Sequence, residues 1–581
     1  MSVQATLNRI STVERVMRGH FENLFSPRSV ALIGATEAVG SVGRALMENL
    51  KAFPGQLYPV NPKRPTVLGV PAFPTVGDIP ERVDLAVIAT PAASVPGILR
   101  DCAAVQIKTV VIISAGFREA GATGCALEQE ALKIAREAGM RILGPNCLGV
   151  MAPHQGLNAT FGSRIAQPGN IAFLSQSGAL CTAVLDWSYK QQIGFSAFIS
   201  IGCMLDINWG DLITWFGNDP RTKSIVLYME SVGDARSFLS AAREVSLTKP
   251  IIVIKGGRTA EASKAAASHT GSMTGSDDVL DAAFRRAGVL RVNSIEELFD
   301  MAELLAKQPR PHGPRLAIVT NAGGPAVLAT DMLVTEGGEL APLARETVEE
   351  FNKMLPPHWS HNNPIDILGD AGPETYGKAL KLALADPTTD GALVILTPQA
   401  MTNPTACAKA IAEAARNAAK PVLASWMGAS EVEPGRQILL SSGIPSYEYP
   451  DAAARAFQYM WRYSWALKAL YETPNLVADL VTPETRRAVA TALGEVRSSG
   501  RTLLTEKEAK GLLSLYGIPT VDSPVATSEE EAVTLASQFG YPVVAKLHSE
   551  SLTHKTDVAE FISTCATRML FARPGGKFAT L

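Results

Sequence analysis

Short apolar runs rich in β-branched residues recur along this chain at regular intervals, with helix-like patterns between them, and that alternation leaves few folds open. A first group of runs covers residues 29–33, 57–60, 85–89, 109–114 and 141–143. A second covers 171–174, 195–201, 224–229 and 251–254, and a third covers 315–320, 392–397, 421–425 and 445–449. Strands alternating with helices at this spacing predict parallel sheets with helices packed on their faces. The expected fold class is α/β, with three doubly wound Rossmann/flavodoxin-like domains over residues 20–155, 156–305 and 312–470. Residues 472–502, polar and Pro-containing, read as a linker with some helix, and a new unit begins at Leu503 and extends over 503–581. In open α/β sheets ligands bind beyond the carboxyl ends of the strands, so the strand-to-helix turns are where chemistry is sought.

The second and third groups read as a duplication. Each opens with a strand running into a glycine turn: Ser175-Gln176-Ser177-Gly178 in one, Thr320-Asn321-Ala322-Gly323-Gly324 in the other. Each then carries Asp-Ile followed by Gly-Asp (Asp206-Ile207 and Gly210-Asp211; Asp366-Ile367 and Gly369-Asp370), Asp-Pro-x-Thr (Asp219 to Thr222; Asp386 to Thr389) and Lys-Pro (Lys249-Pro250; Lys420-Pro421). Aligned on Asp-Pro, the copies differ where chemistry would sit: Thr397 stands at the place of Glu230, and no counterpart of His269 follows Lys420-Pro421. The second domain is therefore expected to hold the chemistry, and the third a structural or partner-binding role.

Composition excludes several classes. With 53 Lys and Arg against 56 Asp and Glu, the chain has no basic excess for nucleic acid. Its 7 cysteines are odd in number, scattered, and form no Cys-x-x-Cys pair, which argues against disulfides and zinc and for a reducing cytoplasm. No apolar run is long enough to span a membrane, and the first residues lack a signal-peptide core. No metal site is expected.

Four stretches carry chemistry. Ser268-His269-Thr270-Gly271-Ser272-Met273-Thr274-Gly275-Ser276 sets an imidazole among small hydroxyl-bearing and glycine residues, which can surround its nitrogen with donors but cannot build core. Ala31-Leu32-Ile33-Gly34-Ala35-Thr36, followed by Gly40 and Gly43, is a strand, a glycine turn and a helix start, where backbone N–H groups can meet a phosphate. It departs from the dinucleotide spacing, and Asn61-Pro62-Lys63 stands where a nicotinamide site would place an acidic residue for the ribose; an NAD-dependent dehydrogenase is thereby disfavoured and a phosphorylated nucleotide favoured. Ser175-Gln176-Ser177-Gly178 places small residues at another strand-to-helix junction, suited to a dianionic phosphate. Glu230, at a strand end, can accept the N–H of an imidazole and leave its other nitrogen nucleophilic.

Together with Gly144-Pro145-Asn146-Cys147-Leu148-Gly149, Tyr228-Met229-Glu230 and Asn321-Ala322-Gly323-Gly324-Pro325, these motifs resemble the nucleoside-diphosphate-forming acyl-CoA synthetases, relatives of succinyl-CoA synthetase that include ADP-forming acetate–CoA ligase. The resemblance covers residues 25 to about 470. It implies that the first domain binds CoA, with Gly34, Ala35, Thr36, Ser41, Val42, Gly43, Lys63 and Ser114 as candidate contacts. It implies that His269 is phosphorylated, that Glu230 orients it, and that Ser175, Ser177 and Gly178 hold the phosphate. The implied reaction joins a carboxylic acid to CoA at the expense of ATP, releasing ADP and phosphate, through an acyl phosphate and a phosphohistidine.

The last unit resembles the start of an ATP-grasp domain: Thr505-Glu506-Lys507-Glu508-Ala509, Gly517-Ile518-Pro519, Pro542-Val543-Val544-Ala545-Lys546 and Thr553-His554-Lys555-Thr556-Asp557-Val558 fit it, with Lys546 as the candidate nucleotide contact. After Val558 the family leads one to expect a Gly-Gly turn and further residues that include Mg²⁺-binding carboxylates. Here Ala559-Glu560-Phe561-Ile562 and a tail unlike the family follow, as after a frameshift or an early stop. The Mg²⁺ expected with the nucleotide is expected to find no ligands in these residues, and a separate ATP-grasp β subunit is one expected partner, alongside self-association into a homo-oligomer. A non-catalytic CoA-binding regulatory remnant and a relative of the protein acetyltransferase branch are the alternatives. The acid is open between acetate or another short-chain acid and an aromatic acid such as ferulate. Cys203, after Gly202, stands where relatives often carry asparagine.

Overall fold

The computed structural model describes residues 19–259, 261–262, 264, 276–472, 482–550, 563–565 and 579–580. The chain forms two compact units, Met1–Glu472 and Thr473–Leu581. Among the described residues no helix is long and apolar enough to cross a membrane.

The first unit contains three parallel sheets, as the alternation of the sequence requires, and all three share one strand order, 2-1-3-4-5. In the first sheet Gln56–Val60, Ser29–Ile33, Leu85–Ile88, Thr109–Ile112 and Arg141–Leu143 lie side by side. In the second the order is Phe195–Ser200, Pro168–Ser175, Ser224–Met229, Ile251–Lys255 and Leu290–Val292. In the third it is Glu339–Leu340, Arg315–Thr320, Gly391–Leu396, Val422–Trp426 and Ser446–Tyr447, with Ile365–Asp366 also pairing onto Arg315–Thr320. Central strands such as Leu85–Ile88 and Gly391–Leu396 are buried at every residue, which is why they read as unbroken apolar runs rather than as alternating ones. In this topology the crevice between strands 1 and 3 is the switch point where neighbouring helices leave on opposite faces and a ligand can enter.

A hairpin that the sequence pattern did not separate, Gly149–Ala152 with Leu157–Thr160, adds two antiparallel strands to the Phe195–Ser200 edge of the second sheet. The expected division at 155/156 therefore cuts a hairpin that belongs wholly to the second sheet.

The second and third sheets carry the same hydrogen bonds at corresponding places. Ser175 Oγ donates to the carbonyl of Ser177 and accepts its N–H (3.0 and 3.1 Å); Thr320 Oγ1 does the same for Ala322 (2.8 and 3.0 Å). Gln176 Oε1 accepts the N–H of Glu230 (2.5 Å), and Asn321 Oδ1 accepts that of Thr397 (2.9 Å). Lys249 Nζ donates to the carbonyl of Asp219 and Lys420 Nζ to that of Asp386, at 2.6 Å in both.

Continuous cores weld the three sheets. One runs from Leu32 and Val87 of the first to Leu174, Leu227 and Trp209 of the second. Another joins Phe173 and Phe198 of the second to Ile318 and Leu393 of the third, through the helices Ile295–Lys307 and Pro450–Ala469. Arg141, ending the first sheet, bonds both Asp206 (2.8 Å) and Asp211 (2.7 Å), so the Asp-Ile and Gly-Asp pairs of the second domain tie it to the first.

Asp300, on Ile295–Lys307, is held against the second seam. Burial, and then the nearby Glu296, Glu303 and Glu297, push its carboxyl up to about 7. The folded chain keeps this proton to about pH 7 while the unfolded chain releases it near pH 4, so the contribution of Asp300 to stability falls as pH rises between those values and stays low above them. Asp300→Asn is expected to be more stable than the parent at pH 8, by on the order of 1–3 kcal/mol, and nearly equal to it at pH 4. Denaturant midpoints at the two pH values check this.

The second unit has helices Pro483–Ser498, Glu506–Leu515 and Glu529–Phe539, and a strand Val543–Leu547 paired antiparallel with Ser563–Cys565 and Ala579–Thr580. The first of these helices lies within the expected linker. Thr505 and Glu508 form a capping box at the second helix, and Arg501 then holds the Glu508 carboxyl down to about 2.

Candidate functional site

The carboxyl edge of the second sheet carries the densest constellation. At its switch point, strand Pro168–Ser175 ends in the turn Ser175–Gly178 and strand Ser224–Met229 ends at Glu230. Ser177 caps the 13-residue helix Gly178–Lys190, its hydroxyl accepting the N–H of Leu180 at 3.2 Å. The first-turn N–H groups of such a helix lack intrahelical partners and carry the positive end of its dipole, so they favour an anion. Ser175 is fully buried and its hydroxyl is occupied by Ser177, so it shapes the turn, whereas half-buried Ser177 and Gly178 face outward.

Glu230 is 8% exposed and held from two sides. Gln176 Oε1 accepts both its N–H and that of Ser231 (2.8 Å), while Gln176 Nε2 donates to Ser231 Oγ (2.9 Å). The Tyr228 hydroxyl hydrogen-bonds to the Glu230 carboxylate; burial, and then that negative charge, raise the phenol above its ordinary range. Gly256, at the end of the next strand, leaves the room: a Cβ there would lie 3.2 Å from the Tyr228 hydroxyl. Lys255, 5% exposed, donates to the carbonyl of Gly256, and burial lowers its pKa in a setting that includes Asp277, Arg291 and Glu230. Gln176, Tyr228 and Lys255 were not singled out by the sequence reading, although Gln176 and Tyr228 stand inside its motifs; a side chain that works by holding a neighbour has no signature of its own in one sequence.

His269 and the rest of 265–275 lie outside the described residues. On either side of that stretch, Arg258 and Asp277 approach to 3.6 Å, and Arg291 bonds Asp277 at 2.6 Å.

The first sheet gathers its candidate residues at its own carboxyl edge. Gly34 has φ +96°, and a Cβ there would lie 2.8 Å from the carbonyl oxygen of Ala89. Gly43, in the first turn of helix Val42–Leu50, would set a Cβ 2.2 Å from the carbonyl of Gly34, so both positions are closed to side chains and the helix end sits directly on the turn. Ser41 caps that helix; Thr36 Oγ1 accepts the N–H of Ala38. Ala35 is buried and offers only its backbone, which Asn61 Nδ2 fixes through the Ala35 carbonyl at 2.8 Å; Asn61 Oδ1 accepts the N–H of exposed Lys63. Val42 is 40% exposed, and Ser114 Oγ donates to the carbonyl of Thr90.

Residues 144–149 join these two edges. The N–H of Asn146 bonds the carbonyl of Ser114 (3.0 Å), the N–H of Cys203 bonds that of Pro145 (2.9 Å), and a Cβ on Gly178 would lie 3.6 Å from the N of Leu148. The Ser114 corner and the Ser177–Gly178 turn therefore flank one six-residue segment. At Cys203, burial, and then Glu119, push the thiol up to about 12, which disfavours the nucleophilic thiolate. Lys546 lies in the second unit, where Glu506 pairs with it at 3.1 Å. Among the described residues no group of three or more His, Cys, Asp or Glu is placed to hold a metal ion.

Four family models match the chain in succession: a CoA binding domain over 28–153, a succinyl-CoA ligase like flavodoxin domain over 168–305, a Ligase-CoA domain over 316–471 and an ATP-grasp domain over 495–561. The ADP-forming acetate–CoA ligase I of Archaeoglobus fulgidus is 39% identical over 92% of this chain and 76% of its own length. The alpha subunit of ADP-forming acetate–CoA ligase II of Pyrococcus furiosus is 43% identical over 74% of this chain and 96% of its own. The solved structure of Ca. Korarchaeum cryptofilum dinucleotide forming acetyl-coenzyme A synthetase 1, in complex with phosphate and ADP, superposes with a TM-score of 0.72 at 37% identity, over 78% of this chain and all of that one. Sequence, domain order and fold agree, and the chain belongs to the ADP-forming acetate–CoA ligase family of acid–thiol ligases.

Proposed function

We propose that this chain makes an acyl-CoA from a carboxylic acid and CoA, with a phosphoryl group carried on His269. The observation that carries the reading is the juxtaposition, across residues 144–149, of the Ser114 corner of the first sheet and the Ser177–Gly178 helix end, next to the Gln176 side chain that holds the Glu230 backbone. A carboxylate is a poor electrophile, and phosphorylating it creates a leaving group that a thiol can displace. In the synthetic direction phospho-His269 gives its phosphoryl to the acid, and the CoA sulfur then attacks the acyl carbon and expels phosphate. Gly34, Ala35, Thr36, Ser41, Val42, Gly43, Lys63 and Ser114 bind CoA; Ser177 and Gly178 hold the phosphate through N–H groups; Ser175 shapes their turn; Glu230 accepts one imidazole N–H. ATP recharges the histidine. Lys546 contacts nucleotide, with a separate ATP-grasp chain completing that site. Acetate is the first substrate proposed, since the acetate ligases match most of the chain; an aromatic acid is the second.

The acyl half-reaction tests this without nucleotide. Acyl-CoA and inorganic phosphate should yield acyl phosphate and free CoA, trapped as a hydroxamate, for at least one acid in a panel from acetyl to feruloyl. No hydroxamate with any of them, from folded protein, contradicts the reading. Gly43→Ala is expected to raise the KM for acyl-CoA in this assay about tenfold or more, because its Cβ must displace the Gly34 turn, while the KM for phosphate stays near the parent value.

A further inference from the structure

The hydroxyl of Ser200 is buried beneath the Ser177–Gly178 turn and is used by nothing in the account above. Ser200 ends strand Phe195–Ser200 and is the register partner of Ser175. It is 1% exposed, and its Oγ finds no oxygen or nitrogen partner among the described residues. Beside it lies the thiol of Cys181, a weak partner for a hydroxyl. Its Oγ is 3.8 Å from where a Cβ on Gly178 would stand, at the first residue of the helix. A buried hydroxyl left without a strong partner costs stability, and here it adjoins N–H groups that have no intrahelical acceptors.

The third sheet supplies the comparison. There Asp366, which the sequence pattern matches to Asp206, lies on Ile365–Asp366 as a register partner of Thr320, the counterpart of Ser175, and so takes the place that Ser200 holds in the second sheet. Asp366 Oδ2 lies 3.5 Å from where a Cβ on Gly323 would stand, at the first residue of helix Gly323–Thr335. The same seat thus holds a carboxylate in the third domain and a neutral donor in the second. A carboxylate at the helix end satisfies the dipole from within and repels an incoming anion; a serine leaves the positive end open and adds a donor.

We infer that Ser200 is a further phosphate-binding residue, donating its O–H to an oxygen of the phosphate or acyl phosphate held at the start of helix Gly178–Lys190. The inference deepens the proposed function and rests on it for the identity of the phosphate ester, but not for the anion site itself. Two measurements separate them: the KM for phosphate in acetyl-CoA phosphorolysis, and binding of inorganic phosphate followed by ³¹P NMR line broadening. Ser200→Ala should raise both the KM and the Kd for phosphate about 10- to 100-fold, the size of a hydrogen bond to a charged group, with the KM for acetyl-CoA unchanged. Ser200→Asp should show neither turnover nor phosphate binding. Unaltered phosphate KM and Kd in folded Ser200→Ala overturn the inference while leaving the ligase reading standing. Parent protein that binds phosphate in a Ser200-dependent way but releases no CoA from any acyl-CoA of the acetyl-to-feruloyl panel sustains the site and overturns the ligase reading. Parent protein that does neither overturns both.

Discussion

Replacing His269 with alanine is expected to abolish transfer of phosphoryl label to the chain, by at least about a thousandfold, while leaving phosphate-dependent CoA release within about tenfold of the parent. The two halves of the reaction are chemically separate. In the first, phosphate attacks the acyl carbon of the thioester and CoA leaves, which needs an anion site and a thiol site but no imidazole. In the second, the imidazole nitrogen attacks phosphorus and the carboxylate leaves. Only the second loses its nucleophile in His269→Ala. Measuring label by acid-labile, base-stable counts and CoA by chromatography gives the split directly; equal loss of both would mean that the histidine holds the structure rather than carries the group.

Glu230→Gln is expected to slow phosphoryl transfer to His269 on the order of 10²- to 10⁴-fold, with little change in the KM for phosphate. Glu230 is 8% exposed, its backbone N–H is held by Gln176 and its carboxylate lies against the Tyr228 hydroxyl, so its setting is in place before substrate arrives. A neutral amide of the same size keeps the packing but removes the charge that stabilises an imidazolium and can present an N–H where an acceptor is needed. The opposite pattern, a raised phosphate KM at unchanged transfer rate, would place Glu230 in anion binding instead. Single-turnover label appearance over a range of phosphate concentrations distinguishes the two.

The alternation of apolar runs made the three parallel sheets legible because strands buried on both faces cannot hide among polar residues. The hairpin 149–160 escaped because its strands are four residues each and follow the cis Gly144–Pro145 segment with no linker-like composition to mark a change of sheet. The duplication was legible in Asp-Pro and Lys-Pro pairs since those residues close the same turns in both copies, where Lys249 and Lys420 bond equivalent carbonyls. Glu230 and the Ser177–Gly178 turn could be proposed from sequence because strand ends and helix starts have sequence markers. Gln176, Tyr228, Lys255 and Ser200 were not, since each is placed by a register partner or a contact that only the folded sheet brings together. Ser175 was read as a phosphate contact; its hydroxyl hydrogen-bonds both the N–H and the carbonyl of Ser177.

The central claim is that a phosphoryl group passes from acyl phosphate to this chain, and it can be tested without any nucleotide. Folded full-length protein is incubated with ³²P-labelled phosphate and acetyl-CoA, then separated from small molecules under alkaline conditions. The account predicts label on the chain that resists base, is lost in acid, depends on acetyl-CoA or another acyl-CoA of the panel, and is absent from His269→Ala. A chain that takes up no label with any acyl-CoA, yet is folded and binds inorganic phosphate, would contradict it.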